Sequence, residues 1–418
     1  ASNRLAEMHG YGPFPGPGEA ENISVFMRRR LDTLLHRWFN TDYPLSEYRR
    51  ALPESDLLCL TPEIFAKHRP KNAAFLALQQ VRHQLDSSRK IFASLPEPLR
   101  IQHFRKALQE KLGDIKPLGK ISSRLLWTKN YSRFQLRAFS IETDPGIRLP
   151  VFLLSPLNHP EKTPVVIAMA TGGKQKFLHN RPQEIAGLLD KGISVCLPDL
   201  RNQGELAGDT SRGPDAMSLA ANELMLGNTL IGAQLKDARA VFKWLRSFPG
   251  TDAHKIALWG DSFSAPNDPD FQFDHSWGQK PGPVTQRQSE PLGPCLAMLT
   301  ALYENDIYAV ATNGMLVSFS AALEDRFCHI PQDIVVPGIL QVADLNDIVR
   351  TISKRPILLN GMVDGRNIPV GMERIKKEYG PVSPDVTFRN NIEQYSLSVW
   401  LTEQFQENRT GVLLRGSK

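Results

Sequence analysis

The chain has 418 residues, 41% hydrophobic and 22% charged, with a formal net charge of +6. Such a length serves one large domain with an appended region, or two domains, and the composition is that of an ordinary globular protein. No apolar run reaches the roughly 18 residues that cross a bilayer, and the basic residues are scattered apart from Arg28, Arg29 and Arg30, without the aromatic interleaving of a nucleic-acid surface, so neither a membrane nor a nucleic-acid partner is expected.

In chain order, Gly10-Tyr-Gly-Pro-Phe-Pro-Gly-Pro-Gly18 predicts an extended arm over residues 1–20. Its glycines follow no strand, so they make no dinucleotide loop. The apolar spacing is helical over Ile23 to Phe39, Ala73 to Leu95 and Ile101 to Leu112. Residues 1–117 are therefore read as an arm and helical segment that packs on a main domain of residues 118–418.

Short strands are predicted at Arg124 to Trp127, Phe134 to Ile141 and Val151 to Leu154, with a turn at Asp144-Pro-Gly146. The continuous apolar run Pro164 to Ala170 is the mark of a strand covered on both faces. A helix over Pro182 to Lys191, a strand over Ile193 to Leu197 and one long helix from about Ala216 to Phe248 follow. Beyond them the spacing predicts a strand at Ile256 to Gly260, a helix at Leu292 to Tyr303 and strands near Ile307 to Ala311, Ile357 to Gly361 and Val386 to Phe388. A final helix runs from about Ile392 to Phe405. Strands alternating with helices indicate an α/β chain with a doubly wound, mostly parallel sheet.

The four cysteines, Cys59, Cys196, Cys295 and Cys328, have no CxxC spacing, so neither a disulfide framework nor a zinc site is indicated. No HExxH, EF-hand or phosphate-cradling loop is present, and no cofactor is implied. The chain begins Ala-Ser-Asn, which fits a processed secreted or periplasmic protein or a trimmed chain. Glycosylation triplets begin at Asn22, Asn130 and Asn408, and the compartment stays open.

The apolar run Ile256 to Gly260 leads directly into Asp261-Ser262-Phe263-Ser264. A serine on a sharp turn between strand and helix presents its hydroxyl as a nucleophile, and the turn demands very small residues two before and two after it. Gly260 meets the first demand, while Ser264 stands where glycine is usual. An elbow kept only for packing is the plainer alternative.

Four stretches at the expected order now carry a resemblance. They are Ala170-Thr-Gly-Gly-Lys174, Pro198-Asp-Leu-Arg-Asn-Gln-Gly-Glu205, Gly260-Asp-Ser-Phe-Ser264 and Val363-Asp-Gly365. Over roughly residues 120–405 the chain resembles the α/β-hydrolase fold, nearest to bacterial acetyl xylan esterase-like and dienelactone hydrolase-like proteins. The resemblance implies Ser262 as nucleophile and the backbone N–H groups of Phe263 and of Gly172 or Gly173 as oxyanion donors. It also implies Asp364 as the carboxylate that orients a catalytic histidine. The alternatives are a simple turn at Gly172-Gly173, and for Asp364 a turn or an ion pair with Arg366.

The base breaks the pattern, because the fold's order is serine, acid, histidine and no histidine follows Asp364. His275 is the first substitute. It lies in an insertion, Pro266 to Pro291, whose Phe271, Phe273 and Trp277 suit a loop over a pocket. His329 is the alternative and His179 a third, each open to reading as an ordinary histidine. The sequence is thus read as a serine-dependent carboxylic ester hydrolase on acetyl or aromatic esters of carbohydrates. The other reading is a weak or inactive scaffold that serves as a binding or accessory protein.

Overall fold

The structure is a computed structural model that describes residues 25–44, 52–69, 71–157, 162–208, 215–270, 287–325, 328–390 and 396–406. The predicted arm, His275 and the three aromatics of the insertion lie outside these residues. The chain divides into two compact units, residues 1–70 and 71–418.

The first unit holds helices α1 (Val25–Phe39), α2 (Glu54–Leu57) and α3 (Pro62–His68). Thr61 caps α3 by accepting from the Ile64 N–H, with Pro62 in the first turn where its missing N–H costs nothing.

The second unit opens with α4 (Ala73–Ala93) and α5 (Glu97–Leu112). Phe104, Leu108 and Leu112 of α5 are buried in the main core. Arg89 of α4 forks onto Asp347 at 2.9 Å, a bidentate geometry that fixes the helix laterally. Strands β1 (Ser122–Asn130), β2 (Phe134–Asp144) and β3 (Ile147–Pro156) follow, then β4 (Thr163–Ala170). Helices α6 (Gly173–Asn180) and α7 (Pro182–Asp190) lead to β5 (Ser194–Pro198). Next come α8 (Asp215–Met225), α9 (Leu230–Ser247) and β6 (Thr251–Asp261). The last part is α10 (Leu292–Tyr303), β7 (Val310–Asn313), α11 (Leu345–Ile352), β8 (Ile357–Asn360), α12 (Met372–Tyr379), β9 (Val386–Arg389) and α13 (Leu397–Gln406).

Two expectations change. The single helix from Ala216 to Phe248 is two, broken at Gly227, whose φ of 80° no continuing helix admits. The strand near Ile307 to Ala311 sits later, at β7. No described helix is long and apolar enough to cross a membrane.

The nine strands form one sheet in the order β1-β2-β3-β5-β4-β6-β7-β8-β9. The first three and β5 are linked by antiparallel pairing, and β5 through β9 are parallel neighbours. β1 is an edge strand exposed along its whole length, whereas β4 and β5 are buried as their apolar runs require. From β4 the chain first adds β5 on one side and then β6 on the other. That reversal opens a crevice beyond the carboxyl ends of β4 and β6, where open α/β sheets place their ligands. Register brings the two ends level, Ala170 opposite Asp261.

The helix predicted at Leu292 to Tyr303 is α10, and every residue from Leu292 to Leu302 is buried. It docks onto the sheet backbone to backbone. A Cβ on Gly260 would meet the Gly293 carbonyl at 2.5 Å, and one on Gly293 would run into the Met169 carbonyl. The two glycines thus let α10 lie directly against the ends of β4 and β6. Gly293→Ala is expected to destabilise the protein by about 1–3 kcal/mol through overpacking. A urea midpoint lowered at unchanged slope would show it, and an unchanged midpoint would mean that the helix is not held this closely.

Candidate active site

Ser262 is the first residue beyond β6 and is buried, 8% exposed. It opens into a pocket of about 260 Å³ whose lining includes Asn180, Arg181, Phe263, Asn313, Gly314 and Asn367. Gly314, at φ 72° after β7, faces it so closely that a Cβ there would lie 2.5 Å from the Ser262 Cβ and 3.0 Å from its Oγ. Only glycine leaves the hydroxyl room. Among the described residues no group hydrogen-bonds that hydroxyl, and no histidine lines the pocket.

The turn is held from below by Asp261, which is fully buried. Its carboxylate accepts from Arg181 Nε at 2.7 Å, Arg181 Nη2 at 3.2 Å, the Ser262 N–H at 2.9 Å and Asn313 Nδ2 at 2.9 Å. Asn360 in turn donates to Asn313 Oδ1 at 3.0 Å, so the ends of β6, β7 and β8 share one polar chain. Burial opposes the Arg181 charge, but the hydrogen bond and charge of Asp261 outweigh it and raise the guanidinium pKa. Neither Arg181 nor the Asn313–Asn360 link was singled out in the sequence. Their partners are far apart along the chain, and no local pattern announces them.

Gly172 and Gly173 begin α6 with left-handed φ of 88° and 69°, and Gly173 is buried against Asp199. Asp199, fully buried, accepts from the Lys174 N–H at 2.7 Å and the Glu205 N–H at 3.0 Å, and pairs with the Lys174 ammonium. The two stretches Ala170 to Lys174 and Pro198 to Glu205 therefore brace one another.

Phe263 stacks edge-on to Phe177 at 5.4 Å beneath the Arg181 guanidinium. Its N–H donates to Glu290 Oε2 at 3.1 Å, and Glu290 Oε1 pairs with Lys176 at 2.5 Å. Asp333 is also buried, and one of its oxygens has no partner among the described residues. Burial, with the Glu290 charge adding to it, pushes that carboxyl up to about 6.

Asp364 follows β8 on the same side of the sheet. Its Oδ1 accepts from the N–H groups of Arg366 at 2.8 Å and Ile368 at 3.0 Å, and its Oδ2 lies 3.6 Å from Arg366. These are the turn and ion-pair contacts weighed as its plainer role, and Asp364 is not among the pocket-lining residues. His329 is half-buried and tied by main chain to both neighbouring loops. Its N–H donates to the Gly365 carbonyl at 2.8 Å, and its carbonyl accepts from the Ser289 N–H at 2.9 Å. Burial lowers its imidazole pKa. His179 is exposed in the last turn of α6.

The described stems of the insertion are stitched together. Ser264 donates to the Gln288 carbonyl at 2.6 Å, and Asn267 exchanges hydrogen bonds with Arg287 at 2.9 and 3.0 Å while donating to Arg366 at 2.7 Å. The structure thus gathers Ser262, Phe263 and the Gly172 turn at one sheet end, with Asp364 and His329 on adjoining loops.

No family model and no curated protein matches the chain. Among solved structures, a Bacteroides fragilis protein assigned as an acetyl xylan esterase is similar over 76% of this chain and 81% of its own, at TM-score 0.56 and 16% identity. A methylesterase is similar over 75% of this chain and 64% of its own, at TM-score 0.51 and 17% identity. With the strand order, this likeness establishes the α/β-hydrolase fold that the sequence resemblance implied.

Proposed function

We propose that the chain is a carboxylic ester hydrolase working through an acyl-enzyme on Ser262, with acetyl or aromatic esters of carbohydrates as its substrate class. The observation that carries this reading is the position of Ser262. It stands beyond the strand at the switch point, facing a pocket, with Gly314 keeping space around its hydroxyl. The named activities of the two structural neighbours are ester hydrolyses, in keeping with it. In the first step Ser262 Oγ attacks the ester carbonyl, its proton passes to a base, and the alcohol leaves with a proton. Water then repeats the attack on the acyl-enzyme, releasing the acid and Ser262. The Phe263 N–H, with Gly172 or Gly173, would hold the oxyanion.

We assign the base to His275, with His329 the alternative, and Asp364 to orienting it. Hydrolysis of p-nitrophenyl acetate should fall at least about a hundredfold in either His275→Ala or His329→Ala, the low end of general-base catalysis. Retention of activity by both variants would contradict this placement. A wild-type protein inert toward short p-nitrophenyl esters would overturn the esterase reading and leave the scaffold a binding role.

A further inference from the structure

The Phe263 N–H, the donor an acyl oxyanion needs, already holds a carboxylate. Glu290 takes it at 3.1 Å through Oε2, a charge-assisted bond stronger than a neutral carbonyl would make. Its other oxygen is tethered to Lys176 at 2.5 Å. Both ends of this contact are held in place. Lys176 belongs to α6, and its stem lies against Gly172, where a Cβ would come within 2.8 Å of it. Glu290 stands between Ser289, whose N–H and hydroxyl both donate to the His329 carbonyl, and Pro291, which caps α10. On the other side of the donor, the Phe263 ring is fixed by Phe177 and Arg181. The carboxylate therefore reaches the elbow from a braced backbone.

We infer that Glu290 is a built-in competitor for the oxyanion site. It is an autoinhibitory carboxylate that must leave the Phe263 N–H before an ester carbonyl can occupy it. The inference rests on the proposed esterase reading for the substrate that is held off; the carboxylate-binding character of the site stands on the contact itself. While Glu290 is seated, a developing oxyanion would meet a full negative charge and lack its donor. A single donor of this kind is worth about 10²–10³ in kcat. Removing the competitor while keeping the donor therefore raises turnover, and the emptied site accepts small carboxylates from solution.

The test is Glu290→Ala, with Glu290→Gln as a second variant that removes the charge and keeps the volume. Hydrolysis of p-nitrophenyl acetate should rise about ten- to a hundredfold in kcat/KM, within what one oxyanion donor is worth. Sodium acetate should then inhibit Glu290→Ala at concentrations that leave the wild type unaffected. Folded variants no faster than wild type, and indifferent to acetate, would overturn the inference. If neither wild type nor variant hydrolyses the ester, the esterase reading fails on its own and the contact is read without activity. In protein carrying ¹⁵N-phenylalanine, the Phe263 amide is identified by its loss in Phe263→Leu. Acetate should shift that amide in Glu290→Ala and not in wild type; an amide that acetate does not move would overturn the inference.

Discussion

Replacing Ser262 by alanine is expected to lower p-nitrophenyl acetate hydrolysis by at least about a thousandfold, because the proposed acyl-enzyme route would lose its nucleophile. The loss should lie in kcat, since the pocket keeps its lining of Asn180, Asn313 and Asn367. Folding should be untouched. The hydroxyl makes no hydrogen bond among the described residues, so its removal orphans nothing, and the elbow keeps the Ser262 N–H bond to Asp261 at 2.9 Å. A variant with wild-type melting and full activity would place the chemistry elsewhere. One that unfolds would contradict the description of the turn.

Arg181→Leu is expected to act on stability instead. Asp261 is fully buried, and Arg181, about a quarter exposed, is its one ion-pair partner among the described residues. Breaking a buried pair from one side leaves an uncompensated charge and costs about 3–5 kcal/mol. The Ser262 N–H and Asn313 bonds remain, which sets the expectation at the lower end of that range. Urea unfolding measures it, and Asp261→Asn in the same background should restore part of the loss because the stranded charge is gone. An Arg181→Leu protein as stable as wild type would mean that the pair does not hold the elbow.

The parts of the fold legible in the sequence were those set by local pattern. Pro164 to Ala170 and Ile256 to Gly260 are apolar runs because both sheet faces are covered, and they became β4 and the core of β6. Helix α6 leaves little local signal, because Gly-Gly opens it and its short span carries few apolar residues. Gly227 inside a long helical pattern signals the break between α8 and α9, which the surrounding periodicity masked. At the site, the position of Ser262 just beyond a buried strand is legible because strand, glycine and serine are adjacent. Lys176, Glu290 and Arg181 carry no such signal, since the Lys176–Glu290 and Arg181–Asp261 pairs span 80 or more residues, the Glu290 contact with the Phe263 N–H spans 27, and nothing local distinguishes the three from surface charges. One further signal was present. Gly293, at the start of the buried helix α10, is a glycine whose close approach to β4 and β6 leaves no room for a side chain.

The central claim, that Ser262 is the nucleophile, is tested most directly by covalent capture. Wild-type protein treated with a fluorophosphonate and digested for peptide mass spectrometry should carry one adduct, on the peptide containing Ser262, and Ser262→Ala should carry none. An unlabelled wild type, or an adduct on another serine that survives Ser262→Ala, would contradict it.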